Sequence, residues 1–481
     1  MKPTRIFLFS FIFLNLFLQC SCNSKKTNPA KPNILFIMVD DLRDWTGYST
    51  AFSNVITPHL NQLAKEGLVF NNAYCAAPVC SPSRTALLSG LSPARTGVYE
   101  NGQRWENELQ NTVTLTQKFM QSGYFVAGFG KIYHGQGKGP YWHEFVYGDY
   151  SPLPKEYENY YALGNPLQIP DSLTGDWKRV TNAIKVLEKD TEKPLFLACG
   201  LVRPHTPWNV PQKYFDLYEE SSIKIPEILD TDLEDIPEMG KLIAARNHKD
   251  NYGKSIEWTH QAIVDSGLWK TNIRAYLASV TYADAQIGRL LEAWRNSKYS
   301  ENGIIVLMGD HGWHHGEKKH WSKRTLWEVG TRTPLIISGT GFVPKNNNCT
   351  QPVNLLDIYP TLIDFCNLKP DINLDGKSIK PLIENPDVDW LRPAVTIWGK
   401  DNVSVRSKKW RYIRYCDGTE ELYNLEKDTN EWENLVYTDR NSYSEVIENL
   451  EKYIPECKEP ASFNKKRSSW FSSIEKNNVK K

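Results

Sequence analysis

The run NILFIMV at residues 33–39, followed directly by Asp40 and Asp41, decides how the rest of the chain is interpreted. A nearly continuous apolar run of this length is typical of a strand that is buried on both faces of a parallel sheet. Downstream, Pro58 is a residue that begins helices, and Gly67 is one that ends them. This region therefore predicts the first strand and helix of an α/β domain.

The same alternation continues along the chain. Further runs predict buried strands at 124–129, 194–201, 303–308 and 334–338, with helices at 115–121, 273–294 and 355–366. Strands that alternate with helices predict an α/β fold, in which a large, mostly parallel sheet is sandwiched by helices. The stretches 141–161 and 223–266 predict long surface loops, which either shape a substrate pocket or are partly disordered.

The pattern changes after about residue 381. Short alternating runs follow at 394–398, 403–405, 410–415 and 421–425, and they predict a smaller C-terminal subdomain with an antiparallel sheet. We therefore expect a catalytic domain at 32–380, a C-terminal subdomain at 381–457, and a polar, basic tail at 458–481 that is poorly ordered.

The N-terminus has the features of an export signal. Two basic residues precede the apolar run 6–18, which is too short to cross a bilayer, so residues 1–22 predict a signal peptide. The small residue before Cys22 resembles the lipid-attachment site of bacterial lipoproteins. Lipid attachment at Cys20 or Cys22 and ordinary cleavage both stay open. No later segment reaches transmembrane length, so we expect a protein without a transmembrane span, with a possible lipid anchor.

Charge and cysteine usage argue against two functional classes. The chain has 57 basic and 56 acidic residues and a formal charge of +1, which does not favour binding to nucleic acid phosphates. Its nine cysteines show no C-x-x-C spacing, so a zinc site is not expected.

Asp40 and Asp41 form the first of four polar clusters that follow predicted strands, where a parallel sheet places its active site. Adjacent carboxylates repel each other unless a cation neutralises them. Oxygen ligands suit calcium or magnesium better than zinc. The alternative for the pair alone is a solvated turn or a helix cap.

The second cluster is CSPSR at residues 80–84. Pro82 suits the first turn of a helix, so Cys80 would lie at the helix N-terminus, where the helix dipole favours negative charge. Arg84 follows one turn later on the same face. An anion bound there would meet a nucleophile, free N–H groups and a fork-shaped cation. The alternative is a buried structural cysteine.

The remaining clusters supply histidines, lysines and a further carboxylate. The third comprises Lys131 and His134 after the strand at 124–129 and His205 after 194–201, and the fourth comprises Asp310, His311 and Lys323 after 303–308. Proline on both sides of His205 makes a stiff loop, which suits a residue held in place for proton transfer. Each histidine alone could instead be a hydrogen-bonded structural residue.

These motifs resemble a known family. C-x-P-S-R followed by T-x-x-L-x-S-G, at residues 80–90, resembles the signature of type I sulfatases of the alkaline phosphatase superfamily. GKIYH at 130–134 fits the family pattern G-K-x-x-H, and ELYNL at 421–425 is similar to the closing motif of the C-terminal sulfatase subdomain. DDLR at 40–43 and RPHTP at 203–207 are most similar to the iduronate-2-sulfatase branch, which has bacterial polysaccharide-degrading relatives.

The resemblance implies an alkaline-phosphatase-like fold and a mechanism. Cys80 would be oxidised to formylglycine by a sulfatase-maturing enzyme, and a hydroxyl of the hydrated aldehyde would attack sulfur. Arg84 and Lys323 would bind the sulfate, Lys131 and His134 would contact the sulfate and the formylglycine, and His205 would face the bridging oxygen. The implied ligands of one calcium ion, with magnesium possible, are Asp40, Asp41, Cys80, Asp310 and His311.

The substrate implied is a sulfated carbohydrate. We expect an exo-acting enzyme on uronic-acid-containing or algal, ulvan-type oligosaccharides, exported to the periplasm or cell surface of a bacterium. Two alternatives stay open: a phosphoester or phosphonate hydrolase of the same superfamily, and a non-catalytic glycan-binding lipoprotein. An ordinary thiol nucleophile at Cys80 is disfavoured, because no partner cysteine or Cys-His-Asn order accompanies it.

Overall fold

Strand β1 (Asn33–Val39) lies inside an eight-stranded sheet, with a parallel neighbour on each side. The structure is a computed structural model that describes residues 31–135, 139–148, 164–244 and 259–462. The predicted signal peptide and lipid-attachment site lie outside the described residues. Within them, no helix is both long enough and apolar enough to cross a membrane.

The strands are β1 Asn33–Val39, β2 Gly67–Phe70, β3 Ala73–Tyr74, β4 Phe125–Gly130, β5 Glu144–Val146, β6 Pro166–Leu167, β7 Leu195–Leu201, β8 Val210–Pro211, β9 Gly303–Gly309, β10 His314–His315, β11 Trp321–Ser322, β12 Leu335–Ser338, β13 Asn347–Cys349, β14 Val353–Asn354, β15 Ala394–Ile397, β16 Val403–Arg406, β17 Trp410–Arg414 and β18 Glu420–Asn424. The α-helices are α1 Pro58–Glu66, α2 Cys80–Ser89, α3 Pro93–Thr96, α4 Trp105–Glu108, α5 Leu115–Gln121, α6 Gly175–Leu187, α7 Gln212–Phe215, α8 Glu238–Ala244, α9 His260–Asp265, α10 Trp269–Arg295, α11 Glu328–Thr331, α12 Ile358–Phe365, α13 Lys380–Glu384, α14 Leu435–Asp439 and α15 Ser444–Glu451.

The order of the large sheet is β13-β2-β12-β9-β1-β7-β4-β5. Strands β9, β1, β7, β4 and β5 are parallel, which confirms the predicted mostly parallel sheet. Strand β12 runs antiparallel to β9 and β2. The connection 310–334 therefore leaves β9 and enters β12 at the same edge of the sheet, and this edge carries the candidate site.

Helices cover both faces of this sheet, as predicted. Side chains of β1 alternate between two apolar cores: Leu35, Ile37 and Val39 face one core, and Ile34, Phe36 and Met38 face the other. Helices α1, α6 and α10 supply the first core, and helices α2, α5 and α12 supply the second. Burial on both faces explains why residues 33–39 carry no polar alternation.

Helix α2 is buried along its whole length although half of its residues are polar. Its hydroxyls bond back to the helix: Thr85 Oγ1 donates to the Ser81 carbonyl at 2.7 Å, and Ser89 Oγ donates to the Thr85 carbonyl at 2.6 Å. Gly90 ends the helix with a φ of 68°, a left-handed conformation that glycine adopts without strain. The sequence signature thus encodes a helix that can lie inside the protein.

The C-terminal strands β15, β16, β17 and β18 form the predicted antiparallel sheet. Ile447 and Leu450 of α15 pack in one core of this sheet, and Trp327 lies in another. The described residues from Pro32 onward form one compact unit that includes this sheet. The domain boundaries at 380 and 457 stay predictions.

Two sequence expectations need correction. The stretches 141–161 and 223–266 are not loops throughout, because their described parts contain β5, α8 and α9. The tail from Lys458 was expected to be poorly ordered, yet its described part is tied to the fold by backbone hydrogen bonds: Lys458 N–H donates to the Ala94 carbonyl at 2.7 Å, and Ala461 N–H to the Gly97 carbonyl at 2.8 Å. The rest of the tail lies outside the described residues.

Candidate active site

The carboxyl ends of β1, β4, β7 and β9 meet at one edge of the large sheet, beside the N-terminus of α2. Three of the four predicted clusters follow these strands and the other, at residues 80–84, begins α2, so the fold brings together residues that are far apart in the sequence. Those within ion-pair or hydrogen-bond distance of another member are Asp40, Asp41, Cys80, Arg84, Lys131, His205, Asp310, His311 and Lys323.

Asp41 has a φ of 58°, a left-handed conformation that is unfavourable for a residue with a side chain. Two contacts hold it there. Its N–H donates to Asp310 Oδ1 at 3.0 Å, and its carbonyl accepts a 3.0 Å bond from the Tyr276 hydroxyl. The turn after β1 therefore fixes both carboxylates of the Asp40-Asp41 pair inside the protein, where each is fully buried.

The Arg84 guanidinium joins two of the buried carboxylates. Its Nη2 donates to Asp40 Oδ1 at 2.9 Å and its Nε to Asp310 Oδ2 at 3.0 Å, while Nη1 donates to the carbonyls of Lys131 and Ile132. We expected Arg84 to bind sulfate, but its side chain is completely buried and bonded to protein groups. Four residues into α2, it lies about 6 Å along the helix axis from Cys80 and so meets the carboxylates beneath the site.

Burial and nearby charges together shift the pKa values of Asp40, Asp310 and Lys131. Burial would raise the pKa of Asp40, but Lys131 and Arg84 outweigh it and hold that pKa well below its usual value. Burial raises the pKa of Asp310, in spite of the opposing charges of His311 and Arg84. Lys131 Nζ donates to Asp40 Oδ2, and although burial would lower its pKa, Asp40 raises it.

Cys80 lies at the start of α2, as predicted, with its Sγ among three polar groups. Lys323 Nζ donates to Sγ at 3.0 Å, His311 Nε2 lies 3.4 Å away, and Asp41 Oδ1 lies 3.9 Å away. Lys323 Nζ also donates to Asp41 Oδ1 at 2.6 Å. Burial would lower the pKa of Lys323, but Asp41 and Cys80 raise it, so this lysine carries a positive charge against the Cys80 side chain.

His311 turns one nitrogen toward the carboxylates. Its Nδ1 lies 2.9 Å from the Gly312 carbonyl, to which it can only donate, so the neutral ring has a lone pair on Nε2. Nε2 lies 3.3 Å from Asp41 Oδ1 and 3.6 Å from Asp310 Oδ1. Burial would lower the pKa of His311, but Asp310 outweighs it and raises the pKa above its usual value.

These residues fit a divalent cation. Ligand atoms of Asp40, Asp41, Cys80 and His205 lie within 4.8 Å of one another, as do those of Cys80, Asp310 and His311. Asp41 Oδ2 is buried and accepts no hydrogen bond from the described residues. A carboxylate oxygen in this state is costly unless a cation binds it. Asp40, Asp41 and Asp310 supply carboxylate oxygens, the type of ligand that calcium and magnesium prefer.

His205 and His134 lie nearer the solvent than the carboxylates. His205 Nδ1 lies 2.6 Å from the Thr206 carbonyl, and Nε2 lies 3.8 Å from Asp41 Oδ2, with 26% of the side chain exposed. Burial lowers the pKa of His205 to about 4, against the opposing effect of Asp41. His134 is half-buried, and burial together with Lys131 lowers its pKa well below the usual value.

Three residues that hold the site were not singled out from the sequence. Ser83 Oγ donates to the Asp310 carbonyl at 2.6 Å, and Asn101 Oδ1 accepts the Ser81 N–H at 2.8 Å at the start of α2. The Tyr276 hydroxyl also accepts the Arg43 N–H at 3.0 Å. Ser83 lies inside the signature and could have been chosen from it. Asn101 and Tyr276 carry no sequence signal.

Comparison with known proteins identifies the family. Residues 32–368 match the family described as Sulfatase, and residues 316–460 match the one described as N-sulphoglucosamine sulphohydrolase, C-terminal. A sulfatase of Formosa agariphila is 36% identical over 94% of this chain and 92% of its own length. An ulvan-active sulfatase of the same organism is 28% identical over 91% of this chain and 84% of its own length.

Human iduronate 2-sulfatase is 32% identical over 63% of this chain and 59% of its own length. The crystal structure of a phosphonate monoester hydrolase from Agrobacterium radiobacter superimposes with a TM-score of 0.71 over 88% of this chain and 94% of the other, at 21% identity. This likeness confirms the predicted alkaline-phosphatase-like fold. With the family match over residues 32–368 and the relatives in agreement, the chain belongs to the sulfatase family and is a sulfuric ester hydrolase.

Proposed function

We propose that this protein removes sulfate from uronic-acid-containing oligosaccharides, with Cys80 as the precursor of its nucleophile. One observation carries the proposal: Cys80 Sγ lies against Lys323 and His311 at the edge of a cluster of buried carboxylates suited to a divalent cation. A sulfate ester placed there would meet the nucleophile and positive charge together.

We expect Cys80 to act after its oxidation to formylglycine, which when hydrated supplies an oxygen nucleophile. A calcium ion held by Asp40, Asp41, Asp310 and His311 would stabilise negative charge on the sulfate. The site's own residues have separate tasks. Lys323 reaches the Cys80 side chain with its ammonium and holds a positive charge where the sulfate would lie.

Arg84 and Lys131 keep the ligands in place. Both bond to Asp40, and Arg84 also bonds to Asp310, so the carboxylates are oriented before substrate arrives. This arrangement lowers the reorganisation that binding would otherwise require. We assign Arg84 to positioning rather than to sulfate binding.

His205 is our candidate for the acid that donates a proton to the departing sugar oxygen. A sugar alkoxide is a poor leaving group, and a positioned acid contributes about 10²- to 10⁴-fold to the rate of such a step. The low pKa of His205, about 4, means that the ring is neutral in the free site near neutral pH. A bound sulfate ester adds negative charge nearby and so favours the protonated form.

The relatives support the substrate class. One relative is named for iduronate and another for activity on ulvan. With the apolar, signal-like N-terminus, we propose an exported bacterial enzyme that acts on the ends of such oligosaccharides.

The phosphoester hydrolase alternative is less well supported, whereas a phosphonate monoester carries the same single charge as a sulfate monoester and is separated from it by the substrate test. Arg84 and Lys131 are bonded to carboxylates, so much of the positive charge near Cys80 is already balanced. A sulfate monoester carries one negative charge fewer than a phosphate monoester and suits this balance better. A glycan-binding protein without turnover is disfavoured because the predicted residues converge at Cys80.

The test compares wild type, Cys80→Ala and Cys416→Ala, each produced together with a sulfatase-maturing enzyme. Wild type should desulfate a uronate 2-sulfate disaccharide much faster than it cleaves an aryl phosphonate. Cys416, in the C-terminal region, is the matched control, and its variant should keep turnover while Cys80→Ala loses it. Mass spectrometry of the peptide around residue 80 should show an aldehyde in place of the thiol. Turnover by Cys80→Ala, or a preference for the phosphonate, would refute the proposal.

A further inference from the structure

The loop that carries Lys323 has an unusual backbone. Positive φ angles occur at Gly316 (122°), Lys318 (55°), Lys319 (49°), Ser322 (86°) and Arg324 (79°). Four of these residues have side chains, for which the left-handed region is unfavourable. Such a conformation persists only where the surrounding structure holds it.

Buried contacts hold this loop. Arg43 Nη1 donates to Glu317 Oε1 at 2.6 Å, and Lys318 Nζ donates to Asp232 Oδ1 at 2.6 Å. At the end of the loop, Arg324 N–H donates to the Pro78 carbonyl at 3.0 Å, two residues before Cys80. The loop is therefore fixed at both its beginning and its end relative to the catalytic cysteine.

The two cations at the end of the loop differ in exposure. Lys323 is 5% exposed and reaches Cys80 and Asp41. Arg324 follows it in the chain and is partly exposed. The backbone bond of Arg324 to the Pro78 carbonyl places this residue beside the N-terminus of α2. Burial lowers the pKa of Arg324, while the charges of Cys80 and Glu100 oppose this shift.

From this placement we infer that Arg324 binds a second anionic group of the substrate, a carboxylate or a second sulfate, beside the sulfate that Lys323 faces. The inference rests on the proposed function and names what the enzyme recognises besides the scissile ester. A guanidinium at the rim can form two parallel hydrogen bonds to either anion. A second anion on the same or the next sugar would thereby fix the sugar's orientation over Cys80.

The experiment measures kcat and KM for wild type and Arg324→Gln on two matched substrate pairs. The first pair is a monosulfated uronate disaccharide and its carboxyl-reduced counterpart, and the second is a disulfated and a monosulfated hexosamine. Arg324→Gln should lower kcat/KM for the two-anion member of one pair about 10- to 100-fold more than for the one-anion member, mainly through KM. The pair that responds identifies the second anion.

Arg95→Gln is the control, because Arg95 is an exposed arginine that is paired with a carboxylate, Asp375, and lies beyond the far end of α2 from Cys80. It should leave both substrate ratios unchanged. Arg324→Lys keeps the charge and loses the paired hydrogen bonds, so it should give an intermediate ratio.

Equal losses on both members of both pairs would overturn the inference. If Arg324→Gln does not fold, the wild-type kcat/KM values still test the inference. Equal values for the two members of each pair would show that no second anion is recognised. Absence of any desulfation by the matured wild type would instead refute the proposed function itself.

Discussion

Replacing His311 with asparagine tests whether this residue is a metal ligand. Its Nε2 faces Asp41 and Asp310, and Asp310 raises the pKa of the ring above its usual value of 6.5. In the metal-free protein at pH 6, His311 is therefore mostly protonated. The proton must leave before Nε2 can bind a cation, so calcium affinity should rise with pH until His311 is neutral.

The size of the pH effect on calcium affinity can be estimated because one proton competes with one calcium ion for His311 Nε2. Below the pKa of His311, calcium affinity should fall about tenfold for each unit of pH, and above it the affinity should level off. His311→Asn removes the titrating group and keeps an oxygen ligand, so its calcium affinity should change little between pH 5.5 and 7.5. A raised histidine pKa stabilises the metal-free protein most below pH 6.5, and this contribution is lost as pH rises through the raised value.

Isothermal titration calorimetry with calcium at pH 5.5, 6.5 and 7.5 gives the affinities directly. Thermal unfolding with and without calcium gives an independent reading, because a ligand raises Tm in proportion to its binding free energy. The calcium-induced rise in Tm should grow with pH for wild type and stay nearly constant for His311→Asn. The same pH slope in both proteins would refute the assignment of His311 as a ligand.

Two further predictions concern Arg84 and His205. Arg84→Met leaves the carboxylates of Asp40 and Asp310 without their shared cation and should destabilise the metal-free protein by about 3–5 kcal/mol in urea unfolding, whereas a change near zero would contradict the bridging role. His205→Ala should lower turnover of a sulfated sugar about 10²- to 10⁴-fold, and turnover of an activated aryl sulfate far less, because an aryl oxygen leaves without a proton. If His205→Ala lowers turnover of both esters equally in steady-state assays, His205 is not the acid, and His134 or Lys323 becomes the candidate.

The fold was predictable from the sequence where strands are buried on both faces. Strand β1 was predicted with its observed bounds, and β9 differs from its prediction by one residue, because continuous apolar runs have clear ends. Strand β2 was missed since Gly67 was interpreted only as the end of α1, although it also begins the strand. The direction of β12 could not be predicted, because buried parallel and antiparallel strands share one apolar pattern.

The residues that form the site could be predicted because the carboxyl ends of parallel strands lie at one edge of their sheet. Asp40, Lys131 and Asp310 each follow such a strand, and knowing this was enough to place them together. Contacts between them were not predictable. Tyr276 lies on the long helix α10, where an inward tyrosine has the same sequence pattern whether it packs in the core or bonds to the turn of Asp41.

Arg84 shows how little spacing alone says about the role of a side chain. An i, i+4 pair on a helix shares a face, and this suggested that Arg84 would reach the same ligand as Cys80. That face runs into the protein, since α2 is buried along its length, so the second position of the pair lies deeper than the first. There the guanidinium neutralises Asp40 and Asp310, and we propose that the positive charge for substrate comes instead from Lys323 and Arg324, on a loop that approaches Cys80 from β9. Under this proposal metal binding and substrate recognition depend on different segments, so changes in the loop would alter specificity while α2 keeps the carboxylates in place.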